Sequence, residues 1–359
     1  MKRSTDFNKN NLDCLRLILA SIVAFFHVYA LSGIPAFSAF DKYLSPHFAV
    51  SSFFVISGLL IYRSYTRSSS LRSYFEKRVR RIYPGYFSVI VFAALGLYLM
   101  STLPASRYFG IEFWKYLGAN LLFLNFLGPS LPGVFTSNNL SAVNGALWTL
   151  KIEVLFYLFV PILHYLCKRF GTKKTMATIF AFSCIWKYGF ALLDALYGSA
   201  GIYAADHSRS IYAKMEVQFP AQVAYFTAGI LLLLYFDKLK PHFRVIACTV
   251  AAFYLLDQFI TRDILDIFWI SGLVFVFGFW RYFGNFSKYG DFSYGVYIVH
   301  WPILQTIIAL GLGKLHPAIF IVLTLSLIAL TSILLWKLVE SRFLATSSHY
   351  REGSAKALS

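Results

Sequence analysis

Long apolar runs recur roughly every 25 to 35 residues along this chain, separated by short polar stretches. Most are long enough, at about 1.5 Å per helical residue, to cross a hydrocarbon layer of about 30 Å. The pattern predicts ten spanning helices, at 11–32, 47–63, 82–102, 147–167, 175–197, 219–236, 245–260, 264–280, 292–310 and 317–338. One further run, 113–127, is read as interfacial or re-entrant on the outer side. It carries Lys115, Gly118, Asn120 and Asn125, and counting it as a span would put the basic segment 168–174 outside. With the N-terminus inside, the inner segments hold 23 of the 33 Lys and Arg residues and the outer ones 7. That asymmetry predicts that both termini are cytosolic.

Composition supports the class. The 359 residues are 58% hydrophobic and 14% charged, and the mean hydropathy is +0.61. The expected fold is an all-α, polytopic integral membrane protein, a single membrane domain over 1–359 with a short polar tail at 339–359. A net charge of +17 would suit a nucleic-acid partner in a soluble protein. Here it is mostly a topology signal, so the lipid bilayer is the expected partner and nucleic acid is not. No cleavable leader is expected. The four cysteines fall in or beside apolar runs without CxxC spacing, so neither a disulfide framework nor a metal is expected.

The first span holds Asp13, Arg16 and His27. Ionised groups in a membrane helix are costly and tend to mark function. Arg16 and His27 lie about 20° apart in azimuth and about 16 Å apart along one helix face, and Asp13 is one turn before Arg16, close enough to pair with it. In the second span, Ser57 and Gly58 allow close helix packing or leave room for a narrow substrate channel. The run from Arg72 to Pro84 is rich in arginine, with Arg78 and Arg81 one turn apart before a proline expected to open the third helix. Guanidinium groups bind phosphates bidentately, which suits a cytosolic phosphorylated cosubstrate, although a topological anchor needs only the charge. Glu153, in the fourth span, is expected at the depth of His27. That makes the two a candidate base and orienting acid, or Glu153 a local partner of Lys151. In the ninth span, Pro302 frees the carbonyl at position 298, and His300 reads first as a structural histidine.

The chain resembles the membrane-bound acyltransferase-3 family, which O-acylates bacterial surface glycans and related acceptors. The resemblance rests on Asp13-x2-Arg16-x10-His27, Phe53-Phe54-x2-Ser57-Gly58, Arg78-x2-Arg81-Ile82-x-Pro84, Trp148-x4-Glu153-x2-Phe156-Tyr157 and Ser293-Tyr294-x2-Tyr297-x2-His300-x-Pro302, in that order. It departs where Thr149 and Val154 replace the serine and second polar residue that members often carry. The resemblance implies acetyl-CoA or another acyl-CoA as cosubstrate, His27 as the catalytic residue, and Arg78 and Arg81 as donor contacts. On this reading Arg16, Ser57 and Gly58 lie along the donor's route, Glu153 orients His27, and Asp13, Trp148, Tyr297 and His300 support the site. The expected activity is transfer of an acetyl group to a hydroxyl of a glycan or lipid-linked sugar, on the extracytoplasmic side of a bacterial cytoplasmic (inner) membrane. The rival reading is a proton-coupled carrier or flippase for a sugar lipid or anion, which would also use intramembrane His, Glu and Arg.

Overall fold

The computed structural model describes residues 5–198, 210–259 and 264–344. Ten helices coincide with the ten predicted runs: α1 (Leu12–Ser32), α2 (Pro46–Thr66), α3 (Leu71–Gly96), α4 (Trp148–Phe170), α5 (Thr172–Tyr197), α6 (Phe219–Leu234), α7 (Phe243–Phe259), α8 (Asp266–Phe279), α9 (Phe292–Ala309) and α10 (Pro317–Leu335). Among the described residues there are no strands, and eight helices are long and apolar enough to cross a membrane. The protein is an all-α, polytopic membrane protein. Of the predicted spans, α8, with 14 residues, and α9 lie outside that set of eight. Arg209, Arg262 and the predicted tail from residue 345 onward lie outside the described residues.

One boundary differs in an instructive way. The third helix begins at Leu71, so Pro84 lies inside it and does not open it. The basic run before the proline is built from good helix formers, and Glu76 pairs with Arg80 across one turn at 2.7 Å. Pro84 frees only the carbonyl of Arg80, a residue at the exposed surface.

The run at 113–127 forms an 11-residue helix, Ile111–Leu121, followed by turns. At about 16 Å it is too short to cross. Phe113, Tyr116 and Asn120 are buried on one face, while Ile111 and Trp114 are exposed.

The chain divides into two compact units. The first comprises Met1–Leu15, His47–Tyr74 and Ile152–Asn285. Its core is aromatic: Phe156 stacks on Phe226 with ring centroids 4.0 Å apart, and Phe54 meets Phe156 edge-on at 5.4 Å. A buried carboxylate, Asp266, ties four helices together. Its Oδ2 accepts from Lys187 Nζ at 2.9 Å and from the Tyr225 hydroxyl, and lies 2.8 Å from His47 Nε2. Pro161 in α4 frees the Tyr157 carbonyl, which accepts from the buried Tyr74 hydroxyl at 3.1 Å.

Helices α2 and α6 touch backbone to backbone in this unit. A Cβ on Gly58 would lie 2.0 Å from the Phe226 carbonyl oxygen, and one on Gly229 would lie 2.0 Å from that of Val55. Gly58 is therefore a packing residue whose missing side chain is filled by α6. Gly58→Ala is expected to cost about 1–3 kcal/mol by overpacking, read as a lower thermal midpoint in detergent. An unchanged midpoint would show that the two helices separate freely.

The second unit comprises Arg16–Pro46, Phe75–Lys151 and Phe286–Ser359. Buried tyrosines fasten the segment between α3 and α4: Tyr86 donates to the Asn120 carbonyl at 2.7 Å and Tyr108 to that of Ala94 at 2.6 Å. The carbonyl that Pro302 frees, at Ile298, accepts from Asn144 Nδ2 at 2.8 Å. This satisfies the acceptor that the sequence placed there.

Candidate active site

Two polar clusters lie within the second unit, and α1 and α9 contribute to both. Arg16 of α1 meets Asp291 at the start of α9, and His27, further along α1, meets His300, further along α9. The two helices therefore run in the same direction. Eleven residues on one and nine on the other separate the clusters, about 16 and 14 Å of helical rise.

At the first cluster Asp291 is the N-cap of α9, with Oδ1 accepting from the Ser293 backbone N–H at 3.2 Å and its hydroxyl at 2.5 Å. Oδ2 receives two guanidinium groups, Arg16 Nη1 at 2.5 Å and Arg81 Nη2. Arg81 also reaches Glu340 Oε2 at 3.3 Å through Nη1. Burial pushes the Asp291 carboxyl up, but Arg16 and Arg81 outweigh it and hold it well below the usual carboxylate range. Gly85 leaves room here: a Cβ would lie 3.1 Å from the Tyr294 ring and 3.2 Å from Glu340. Gly290 has a φ of +110°, a conformation side chains rarely adopt, and faces the Trp336 indole. Arg78, one turn before Arg81, is half-buried.

At the second cluster the half-buried His27 stacks against the fully buried His300, with ring centroids 5.1 Å apart and planes at 24°. His27 Nδ1 and His300 Nε2 are 3.1 Å apart. Trp301 stands edge-on to His27 at 4.7 Å and donates through Nε1 to the Ala142 carbonyl at 3.2 Å. Gly145 admits that indole, because a Cβ there would lie 2.5 Å from the ring. Gln305 donates to the carbonyls of Leu140 and Ala142, at 2.6 and 2.9 Å, and Asn138 donates to Gln305 Oε1 at 2.8 Å. The segment from Asn138 to Gly145 is thus bonded along α9 beside the histidine pair. The Tyr297 hydroxyl lies 2.7 Å from Thr149 Oγ1. Thr149 thus presents a buried side-chain hydroxyl to α9. Trp148, half-buried, opens α4 one residue earlier.

The remaining sequence candidates belong to the first unit. Asp13 sits in the first turn of α1, where a carboxylate suits the positive end of the helix dipole. Glu153 accepts from the Tyr157 hydroxyl at 2.7 Å, one turn along α4. Ser57, half-buried, precedes the packed Gly58. Sequence reasoning gave no role to Asp291. Glu340, just past α10, meets Arg81 of α3.

Comparison with known proteins decides the family. A model described as an acyltransferase domain matches residues 9–337. The chain belongs to the acyltransferase-3 family. It is 28% identical to Nodulation protein 10 of Rhizobium leguminosarum bv. viciae, over 93% of this chain and 92% of that one. It is also 28% identical to the O-acetyl transferase of Shigella phage Sf6, over 94% and 97% of the two chains. No solved structure matches the chain significantly. This acyltransferase is an integral membrane enzyme whose reaction needs an acyl donor and an acceptor. The matched region contains Arg16, His27, Arg81, Asp291 and His300 of the two clusters, while Glu340 lies just beyond it.

Proposed function

We propose that this acyltransferase moves an acetyl group from cytosolic acetyl-CoA, or a related acyl-CoA, to a hydroxyl of a glycan or lipid-linked sugar. The reaction is placed on the extracytoplasmic side of a bacterial cytoplasmic membrane, with ten spans and both termini cytosolic. The observation that carries this reading is the pairing of α1 with α9. One end of the pair bears two arginines held by buried carboxylates, and the other bears a half-buried histidine against a second one. Match to the phage O-acetyl transferase along nearly both full lengths supports the choice of acetyl.

In this reading the anionic nucleotide docks at the basic end, against Arg78 and its neighbours, and the thin pantetheine arm passes Arg16. Arg16 and Arg81 are already paired with Asp291, so their guanidinium planes are fixed before the donor arrives, and less ordering cost falls on binding. The acyl group reaches His27, which takes the proton of the attacking hydroxyl or is itself acylated first. Glu153 supplies a second titratable group at the depth the sequence assigns to His27. Incubating purified protein with radiolabelled acetyl-CoA and the glycan fraction of its source cells tests the proposal. Label covalently held by glycan is expected, and acceptor transport without covalent label would overturn it.

The arginines give a separate expectation. Arg78→Lys or Arg81→Lys keeps the charge but loses the planar fork, so the KM for acyl-CoA should rise about tenfold, the worth of roughly one charge-assisted bond. Donor binding should also weaken with salt more steeply than acceptor binding. Unchanged acyl-CoA affinity in the folded double alanine variant would leave these arginines as topological anchors.

A further inference from the structure

The hydrogen-bond pattern around the two imidazoles selects one tautomer of each. His300 Nδ1 lies 3.2 Å from the Val296 carbonyl, one turn back on α9. A carbonyl only accepts, so Nδ1 of His300 carries the hydrogen. The other ring nitrogen of a neutral His300, Nε2, then has only a lone pair to offer, and it faces His27 Nδ1 at 3.1 Å. For that contact to be a hydrogen bond, His27 Nδ1 must donate. The nitrogen of His27 left with a lone pair is Nε2.

We propose that His300 is a positioning residue that holds His27 in its Nδ1–H tautomer, so that Nε2 is the nitrogen that reacts. This rests on His27 being the catalytic base of the acyl transfer. As the acceptor hydroxyl attacks the thioester carbonyl, its proton passes to His27 Nε2 while the new C–O bond forms and the C–S bond breaks. The departing thiolate takes that proton, giving the ester and free CoA thiol. If an acyl-histidine forms instead, the same nitrogen is the nucleophile. While His27 is transiently cationic, its Nδ1–H keeps an acceptor in His300 Nε2, and the bond strengthens with the charge.

The surroundings favour a fixed partner over a mobile one. His300 is fully buried, and Trp301 beside it is locked to the Ala142 carbonyl and stands edge-on to His27. The Val296 bond fixes the His300 ring from one side, and the His27 stack fixes it from the other. The orienting partner of a functional imidazole commonly costs about 10–100-fold when removed.

The test compares four proteins by initial rate of label transfer from saturating radiolabelled acetyl-CoA to the glycan fraction, with KM for acetyl-CoA measured alongside. His300→Ala should lower the rate about 10–100-fold and leave that KM within about twofold, since a tautomer error harms turnover and not donor binding. His300→Gln places an amide oxygen where Nε2 stood and should recover much of the loss. His300→Asn can still donate to Val296 but is too short to accept from His27, so it should behave like alanine. Thermal midpoints in detergent identify which variants are folded. Full activity in folded His300→Ala, or equal activity of the folded glutamine and asparagine variants, would overturn the positioning role. The fourth protein, His27→Ala, separates the two readings: if it retains transfer, the base assignment itself fails. If it is dead while His300→Ala is fully active, only the role of His300 fails.

Discussion

His27→Ala is expected to abolish acyl transfer while the protein remains inserted and folded. A positioned general base contributes typically about 10²–10⁴-fold, and a nucleophile that forms the acyl intermediate contributes at least as much, so the residual rate should fall to background. Folding should survive because His27 is only half-buried, and its hydrogen-bond partner His300 keeps the Val296 carbonyl when His27 is gone. Some loss of packing against Trp301 is expected, about 1–2 kcal/mol for a half-buried ring. Donor affinity should be nearly unchanged, because the arginine cluster lies about 16 Å away along α1. Near-normal transfer by a well-expressed His27→Ala protein would remove His27 from the chemistry. A large rise in the KM for acyl-CoA with little change in kcat would instead make it a donor contact.

Much of this arrangement is readable from the chain and part of it is not. Apolar periodicity placed the helices, and the run beginning at Phe113 forms a helix of only 11 residues, from Ile111 to Leu121. The shared face of Arg16 and His27 follows from helical geometry alone, and the structure gives both a partner on α9. The partners were harder. Asp291 bonds guanidinium groups 275 and 210 positions away in sequence, and no local pattern encodes such a pairing. Its one local signal was an acid immediately before an apolar helix, which is the N-cap pattern. Arg81 read as a phosphate ligand or a topological anchor because it stands in an arginine-rich run. Its side chain is 14% exposed and committed to two carboxylates, because helix α3 starts a full three turns earlier than Pro84 suggests. His300 read as structural because a histidine near a proline has an obvious local use. In the structure Asn144 fills that use, which leaves His300 Nε2 to face His27.

The second large effect is expected at Asp291. Asp291→Asn keeps the shape and one oxygen for the Ser293 N–H but removes the charge that holds Arg16 and Arg81 together. Both guanidinium groups are largely buried, at 17% and 14% exposure. Breaking such a pair by removing one partner costs about 3–5 kcal/mol, because the remaining charges stay buried and unbalanced. Here Arg81 would keep Glu340, while Arg16 would lose the charge of Asp291. The thermal midpoint should therefore fall sharply, and acyl transfer should fall with it as the basic end of α1 loses its geometry. The pH dependence has a definite sign. A carboxylate whose folded pKa is depressed contributes stability above its unfolded value, about 3.9, and loses it only as pH falls through the folded value. Asp291 is held below the usual range, so the gap between wild type and Asp291→Asn should persist as pH falls to about 5 and close only in strong acid. A gap that closes by pH 6 would show that Asp291 is not the charged hub. A compensating change gives a sharper check. Arg81→Gln combined with Asp291→Asn restores the balance of charge, so the double variant should be more stable than the sum of the single losses by about 0.5–3 kcal/mol, the range for directly coupled residues. Strict additivity would mean that Arg81 and Asp291 stabilise the protein independently, and the cluster could not then be what fixes the arginines for the donor.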